Sequence, residues 1–404
     1  MKTVFKSFKG QLIFGLIVIL SLLVIPISSS SAGNGPQIKA MTRNLYLGAD
    51  IFKVVEAAQD NPDDPLAVPI AVSELYHTML FTNFWARAEA IADEIEEKNP
   101  DVIGLQEVSK YFKQTPSDFI NDGEEQASFV VIDFYQVLND ALLDRGLHYK
   151  EFEQENADIE LPMLDLKSPN FFSDVRMVDR DMVLVKDDGY NPQEVLIKKY
   201  DNNLFINLSD MELTFNRGFL IIDVNVDDQD FRFVNTHLEV RGEPGSPFRL
   251  YQYLQMAELL TTLRELPDIL EIEERPIIMV GDFNSSPEDE QGVFNHPVYG
   301  PTSYTPPYML ALGAGYLDAW TKQNNYGDGF TSGFDEYVSD PYAELTSRID
   351  LIFVDPLELE IKKVNCDVVG DEVSDMVPNP LLPEVLRLWP SDHAGVVGEI
   401  RYKK

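Results

Sequence analysis

The sequence contains a single cysteine, Cys366, in 404 residues. An intramolecular disulfide and a thiolate metal cluster are therefore excluded. Basic residues are also scarce, because 32 Lys and Arg side chains stand against 68 Asp and Glu side chains, for a formal net charge of −36. A protein with this charge repels polyanions at long range. We therefore expect no stable complex with nucleic acid, and a nucleic-acid enzyme would need a local positive site or metal ions.

The longest apolar run lies at the N-terminus, and no later run is long enough to cross a bilayer. Three lysines precede the apolar stretch Leu12 to Pro26, and the small residues Ser30, Ser31 and Ala32 follow it. This pattern predicts a cleaved signal peptide over residues 1–32 and hence a secreted protein. An uncleaved membrane anchor is the alternative, but the run is short for a span of about 20 residues.

The remaining composition is that of a folded protein, with 44 % hydrophobic and 25 % charged residues. Disorder and fibrous classes are therefore excluded. Many short β-rich runs alternate with a few helical stretches, and no Pro/Gly linker separates two halves, which predicts one α/β domain over residues 33–404. We expect insertions near residues 50–83, 151–174 and 285–347, and the acidic segment 151–174 is predicted to be irregular.

Polar side chains follow or interrupt six of the apolar runs that we predict as strands. They are Asn44, Glu107, His237, the pair Asp282 and Asn284, Asp350, and the pair Asp392 and His393. Functional sites of α/β proteins gather at strand ends. Each residue also has a structural interpretation: Asn284 could cap a helix starting at Ser285, and Asp350 could pair with Arg348. The functional interpretation depends on the whole set and its order.

The set resembles the endonuclease/exonuclease/phosphatase superfamily, which includes deoxyribonucleases, apurinic/apyrimidinic endonucleases, bacterial sphingomyelinases and inositol polyphosphate 5-phosphatases. The matching strings are Met41-Thr-Arg-Asn44, Ile103-Gly-Leu-Gln-Glu107, Asn235-Thr-His-Leu238, Val280-Gly-Asp-Phe-Asn284, Ser347-Arg-Ile-Asp350 and Ser391-Asp-His393. The resemblance implies an α/β four-layer sandwich, with two mixed β-sheets packed face to face and helices on the outside. We also expect a monomer.

Hydrolysis of a phosphate ester needs an activated water and stabilisation of the developing charge, and a hard cation such as Mg²⁺ binds oxygen ligands for this purpose. The resemblance implies that Glu107 is a ligand of Mg²⁺ or Mn²⁺. Asn44 can join that ligand set or hold a phosphate oxygen. Asp392 resembles a further ligand or a carboxylate behind the ligands.

The remaining residues are predicted to be catalytic. Asp282 and Asn284 are two residues apart and would share a face of the strand end, where they can activate and orient water. His237 and His393 can exchange a proton or stabilise charge. By resemblance, Asp350 holds His393 in one tautomer, as the acid of a catalytic triad does. Either Asp282 or His393 could be the general base.

The sequence therefore predicts a secreted, divalent-metal-dependent phosphoesterase that acts on a phosphodiester or a phosphomonoester. Arg217 and Arg241 are candidates for binding the substrate phosphate. A nuclease, a sphingomyelinase-type lipid phosphodiesterase and an enzyme for small phosphoesters all remain open. A catalytically silent binding protein of the same fold is the rival class. Serine and zinc hydrolases are excluded, because Gly-x-Ser-x-Gly and His-Glu-x-x-His are absent.

Overall fold

The computed structural model describes residues 35–403 except 122, 124, 209–210, 299, 325 and 356–359. The predicted signal peptide lies outside these residues. The helices are α1 (Phe52–Asp60), α2 (Ala67–Phe81), α3 (Phe84–Lys98), α4 (Phe134–Asp144), α5 (Pro247–Leu270), α6 (Pro307–Gly313) and α7 (Ala319–Lys322). Within the described ranges, no helix is long and apolar enough to span a membrane.

The strands of the first half are β1 (Gln37–Asn44), β2 (Val102–Gln106), β3 (Lys110–Gln114), β4 (Phe129–Asp133), β5 (Tyr149–Leu164), β6 (Phe172–Lys186), β7 (Gln193–Lys199), β8 (Leu204–Leu208) and β9 (Met211–Phe215). Those of the second half are β10 (Gly218–Val226), β11 (Gln229–His237), β12 (Ile277–Asp282), β13 (Gly292–His296), β14 (Gly300–Tyr304), β15 (Leu317–Asp318), β16 (Asp350–Val354), β17 (Ile361–Val369), β18 (Val377–Pro378), β19 (Arg387–Leu388) and β20 (Gly395–Tyr402).

Two large mixed sheets contain most of these strands. The first has the order β17-β20-β1-β2-β6-β3-β4, with β5 paired to β6, and its only parallel pair among the described strands is β1 with β2. The second has the order β15-β16-β12-β11-β10-β7, with β11 parallel to β12. Because parallel neighbours end at the same edge, each pair places two polar strand ends side by side.

Three apolar clusters bind the layers together. The central cluster joins inner faces of both sheets, for example Ala40 and Val102 of the first sheet with Leu220 and Val280 of the second. A second cluster packs α2, α3 and α4 on the outer face of the first sheet. A third packs α5 and α6 on the outer face of the second sheet. The order is helix, sheet, sheet, helix, which confirms the predicted four-layer α/β sandwich.

The prediction that residues 151–174 are irregular is wrong. Most of the segment belongs to β5, which pairs with β6 over nearly its whole length. The acidic side chains at 151, 153 and 155 face solvent, whereas the alternate residues Gln154 and Asn156 are buried. The strand therefore alternates in exposure but not in hydrophobicity, since the buried positions carry amides. The sequence pattern alone could not reveal it.

Candidate active site

The first sheet contributes Asn44 and Glu107 to the site. Asn44 is the last residue of β1, and Glu107 comes directly after β2, so the parallel pairing of these strands brings both to one edge. The Glu107 backbone has a positive φ of 58°, which ends the strand there. The Asn44 amide nitrogen donates to Glu107 Oε1 at 3.2 Å. Two of the three residues predicted to bind metal are therefore in direct contact.

The second sheet contributes a row of three residues, one from each of three adjacent strands. His237 ends β11, Asp282 ends β12 and Asp350 begins β16. His237 is the register partner of Asp282, and Asp282 is that of Asp350. All three are almost fully buried. Short apolar strands thus place an imidazole and two carboxylates next to one another at the edge of the sheet.

Contacts between the two sheets complete the cluster. The Asn44 amide also donates to Asp282 Oδ2 at 3.2 Å, which links the two strand ends. His393, just before β20, reaches across the sheets, because its Nδ1 lies 2.8 Å from Asp350 Oδ2 and 3.9 Å from Asp282 Oδ2. Arg348 pairs with Asp318 at 2.7 Å rather than with Asp350. The alternative in which Asp350 forms an ion pair with Arg348 is therefore wrong.

Asn284 lies in the cluster, but strand alternation does not put it there. Its φ is 49°, in the left-handed region, so the chain has already left the strand. Its backbone N–H donates to Asp282 Oδ1 at 2.9 Å, and its side-chain amide donates to the Leu238 carbonyl at 3.1 Å. No helix begins at residue 285. The helix-cap interpretation of Asn284 is therefore wrong.

The buried carboxylates of the cluster repel one another. Burial, and then the nearby Asp392 carboxylate, raise the pKa of Glu107 to about 7. Burial, and then the Asp350 carboxylate, raise the pKa of Asp282 to about 7. Burial also raises the pKa of Asp392. An excess of buried negative charge of this kind is offset by a cation.

The two histidines differ in their surroundings. Burial alone would lower the pKa of His393, but the Asp350 and Asp392 carboxylates raise it well above its usual value. For His237, burial and then the Arg217 guanidinium lower the pKa well below its usual value. His393 is therefore held as an imidazolium and His237 as a neutral ring.

The two arginines predicted to bind phosphate lie in different contexts. Arg217 Nη1 is 2.9 Å from His237 Nδ1, inside the cluster. Arg241 instead donates from Nη2 to Asp289 at 2.6 Å, and Arg249 binds the same carboxylate. No described hydrogen bond joins Arg241 to the cluster. The structure therefore brings together nine of the ten predicted site residues and leaves Arg241 in an ion pair with Asp289.

Sequence reasoning missed several charged residues behind the cluster. Asp179 and Asp181 are buried on β6, and both oxygens of Asp181 lack a hydrogen-bond partner among the described residues. Arg87 of α3 is fully buried and donates to the carbonyls of Leu45 and Pro390. The available signal was the charged triplet Asp179 to Asp181, which directly precedes the apolar run Met182 to Val185 of β6.

The donor set of the cluster fits a hard divalent cation. Among the described residues, potential ligand atoms of Asp282, Asp350 and His393 lie within 4.8 Å of one another. Asp350 Oδ1 is buried and has no hydrogen-bond partner in the described part of the chain. Carboxylate oxygens are preferred by Mg²⁺ and Mn²⁺, so Asp282 and Asp350 are the candidate ligands of this group. His393, as an imidazolium bonded to Asp350, offers no lone pair to a metal ion. This convergent group differs from the predicted ligands Asn44, Glu107 and Asp392, which stay a prediction.

The chain is similar to several solved structures at low sequence identity. An endonuclease/exonuclease/phosphatase family protein from Bacteroides thetaiotaomicron has 16 % identity and a TM-score of 0.50, with 91 % of this chain and 99 % of that chain covered. A mannosyl-6-phosphatase from the same organism has 16 % identity and a TM-score of 0.48, covering 90 % and 99 %. A truncated TDP2 from Caenorhabditis elegans has 15 % identity and a TM-score of 0.42, covering 90 % and 97 %. The first of these supports the fold.

Sequence comparison gives a direct family match. A search of the curated proteins finds none that matches the chain. The model of the Endonuclease/Exonuclease/phosphatase family, however, matches residues 82–393, which is most of the chain and includes Glu107, His237, Asp282 and His393. This chain therefore belongs to the Endonuclease/Exonuclease/phosphatase family, with a phosphoesterase-type fold.

Proposed function

We propose that the chain is an exported, divalent-metal-dependent phosphoesterase that hydrolyses its substrate by in-line attack of an activated water. The main observation behind this proposal is that polar residues at the strand ends of one sheet contact those at the strand ends of the other. Asn44 and Glu107 from one sheet contact the row of His237, Asp282 and Asp350 from the other through the 3.2 Å Asn44–Asp282 hydrogen bond. Export rests on the N-terminal pattern alone.

Glu107, with Asn44 and Asp392 beside it, would hold a Mg²⁺ or Mn²⁺ ion. A bound divalent cation would supply charge neutralisation at a phosphoryl oxygen. The negative charge that raises the pKa of Glu107 supports this assignment, because a cation relieves that repulsion. Asn44 donates to carboxylates on both sides and thereby fixes the distance between Glu107 and Asp282.

Asp282 is the best-placed group to accept a proton from water. Its Oδ1 is held by the Asn284 backbone N–H, and its Oδ2 by the Asn44 amide, so the carboxylate has a fixed orientation. A pKa near 7 is close to the optimum for a general base that works at neutral pH. We therefore assign the general base to Asp282 and not to His393.

His393 is suited to the opposite role. Its Nδ1 is bonded to Asp350 at 2.8 Å, which leaves Nε2 free of that pair. The imidazolium is favoured by the Asp350 and Asp392 carboxylates. It can therefore donate a hydrogen bond from Nε2 to a phosphoryl oxygen, or a proton to the leaving alkoxide.

The substrate class is best addressed by a direct assay. Purified mature protein with Mg²⁺ or Mn²⁺ is incubated with plasmid DNA, sphingomyelin vesicles, bis-p-nitrophenyl phosphate and p-nitrophenyl phosphate. We expect metal-dependent hydrolysis of at least one phosphoester, and its loss in Asp282→Asn. The exposed helix residue His77, outside the cluster, gives the control His77→Gln. Absence of hydrolysis on all four substrates with both metals would favour a catalytically silent protein.

A further inference from the structure

The two histidines of the cluster present the same ring nitrogen to partners of opposite charge. His393 Nδ1 faces the Asp350 carboxylate at 2.8 Å. His237 Nδ1 faces Nη1 of Arg217 at 2.9 Å. A carboxylate accepts a hydrogen bond, whereas a guanidinium has five N–H donors and no acceptor. The two rings must therefore differ in where they carry their protons.

For His237, the shortest contact decides the tautomer. Because Arg217 can only donate, His237 Nδ1 must be the acceptor, and the proton of the neutral ring lies on Nε2. The competing acceptor, Asp181 Oδ1, is 3.8 Å from Nδ1, which is too long for a hydrogen bond. The Asn284 amide nitrogen has two N–H groups and lies 3.1 Å from the Leu238 carbonyl oxygen and 3.4 Å from Nε2. The Asp282 carboxylate decides against a donor to Nε2, because its Oδ2 lies 3.5 Å from Nε2 and, when ionised, can only accept the Nε2 proton.

Arg217 is itself fixed in place and in charge. Its backbone N–H donates to Asn203 Oδ1 at 2.8 Å, and its carbonyl accepts from the Tyr200 N–H at 2.8 Å. Burial would lower the pKa of Arg217, but the surrounding Glu239 and Asp179 carboxylates raise it. The guanidinium therefore stays a permanent donor towards His237.

We propose that Arg217 is a positioning residue that fixes His237 as the Nε2–H tautomer, so that His237 donates a hydrogen bond to the substrate and keeps its proton throughout the reaction. This inference rests on the proposed phosphoester hydrolysis for its last clause only. It gives Arg217 a hydrogen-bond partner within the protein, His237, in place of the substrate phosphate. The low pKa of His237, caused by burial and by Arg217, supports the same arrangement.

The tautomer can be measured without substrate or metal. In ¹⁵N-histidine-labelled protein, we expect His237 to show an unprotonated Nδ1 and a protonated Nε2 between about pH 5 and pH 8, where a free imidazole titrates. His237→Gln assigns the signals. In Arg217→Met, Nδ1 loses its donor and can take a proton towards Asp181, so its resonance should move to the protonated range. Arg217→Lys retains a donor and should restore part of the wild-type pattern.

Arg232 gives a matched control for the loss of a buried arginine. It lies on β11, the strand that ends in His237, and its guanidinium pairs with Asp223 at 2.9 Å. Arg232→Met should lower the melting temperature but leave the His237 resonances unchanged. A wild-type protein with Nδ1 protonated, or an Arg217→Met protein with an unchanged His237 tautomer, would overturn the proposal.

Kinetics of His237 variants test the donor role. A Gln amide can place an N–H close to the position of Nε2 but cannot carry a proton to a leaving group, and an Asn amide reaches only the position of Nδ1. We expect His237→Ala and His237→Asn to lose about 10²–10³-fold in kcat, the effect of removing one charge-stabilising donor. His237→Gln should keep kcat within about tenfold of wild type. Equal losses in Gln, Asn and Ala would overturn the role of His237 as a hydrogen-bond donor that keeps its proton.

The two experiments separate the two proposals. If no phosphoester is hydrolysed, the proposed function fails, but the tautomer measurement still decides whether Arg217 positions His237. If hydrolysis occurs and the wild-type tautomer is the reverse of that expected, the function stands and the inference about Arg217 is wrong.

Discussion

His393 Nδ1 and Asp350 Oδ2 lie 2.8 Å apart, although 43 residues separate them in the sequence. Asp350 begins β16 of the second sheet, and His393 precedes β20 of the first sheet. The contact therefore joins the two sheets at the cluster. It holds the His393 ring in one orientation and favours its protonated form.

Because the pair acts as one unit, its mutations should not be additive. We expect His393→Ala to lower kcat by about 10²–10⁴-fold, the usual effect of losing one acid–base group. Asp350→Ala should cost somewhat less, and the double variant little more than His393→Ala. A double-mutant cycle with melting temperatures tests this expectation. Losses in kcat that multiply would contradict the coupled pair.

The strand ends were the part of the site that the sequence could predict. Apolar runs such as Ile277 to Gly281 are recognisable strands, and the polar residue after each run must lie at a sheet edge. The parallel pairs β1–β2 and β11–β12 then bring those edges together. Position at a strand end therefore indicated each candidate residue, and the resemblance to the family, which depends on all six strings and their order, was needed to combine them into one site.

The residues behind the cluster could not be predicted in the same way. Asn156 and Gln154 are buried amides on β5, so they remove the hydrophobic alternation by which a strand is recognised. Asn156 donates to Asp179 at 3.3 Å, and it is tertiary pairing of β5 with β6 that creates this contact. Likewise, the contact between Arg217 and His237 depends on the pairing of β10 with β11, which no local pattern encodes.

Asp282 should make the metal-free protein less stable as the pH rises. Its pKa is about 7 in the folded protein, against about 3.9 in an unfolded chain. Its stabilising contribution is therefore fully present below about pH 4 and is lost as the pH rises through 7. Asp282→Asn lacks this pH dependence. The melting temperature of the variant, relative to that of the wild type, should therefore rise between pH 4 and pH 8.

The measurement is thermal unfolding in EDTA at a series of pH values. Asp93→Asn serves as the control, because this carboxylate is on the exposed side of α3 and pairs with Arg145. A constant difference between wild type and Asp282→Asn across the series would show that the Asp282 pKa is not raised. Saturating Mn²⁺ should reduce the pH dependence of the wild type, since a cation stabilises the ionised carboxylates.

Glu107 is expected to dominate metal affinity. Glu107→Gln keeps the size of the side chain and an oxygen for Leu47 but removes the charge that holds a cation. We expect at least tenfold weaker Mn²⁺ binding by calorimetry, together with loss of the Mn²⁺-induced rise in melting temperature. Exposed Glu265 provides the control Glu265→Gln. Unchanged Mn²⁺ affinity in Glu107→Gln would place the metal ligands elsewhere, with the Asp282 and Asp350 carboxylates as the next residues to test.

Binding of DNA should be weak in the absence of divalent cations. The formal charge of −36 repels a polyanion, and a salt-sensitive complex needs several exposed cations on one face. We expect no saturable binding of duplex DNA in EDTA by fluorescence anisotropy, and any cleavage should increase as Mg²⁺ screens the repulsion. Tight binding in EDTA that weakens with added salt would contradict this expectation.

Arg87 should be required for both the stability and the assembly of the site. Its Nη1 donates to the Leu45 carbonyl at 2.7 Å, next to Asn44, and to the Pro390 carbonyl at 2.9 Å, close to Asp392. One buried side chain thus ties the segment after β1 to the segment before β20. Arg87→Met would leave these carbonyls without a charged donor, at a cost of about 1–3 kcal/mol for each buried group.

We therefore expect Arg87→Met to lower the free energy of unfolding by at least about 2 kcal/mol, measured by urea denaturation. The exposed Arg264 gives the control Arg264→Met, for which we expect a change within about 0.5 kcal/mol. Because the segment that carries Asp392 and His393 would lose an anchor, Mn²⁺ affinity should also fall in Arg87→Met under conditions where the variant is fully folded. A variant that is destabilised but binds Mn²⁺ as the wild type does would show that Arg87 supports the core alone, and that other contacts, such as the 2.8 Å hydrogen bond from Ser391 Oγ to the Asn44 carbonyl, hold the two segments together.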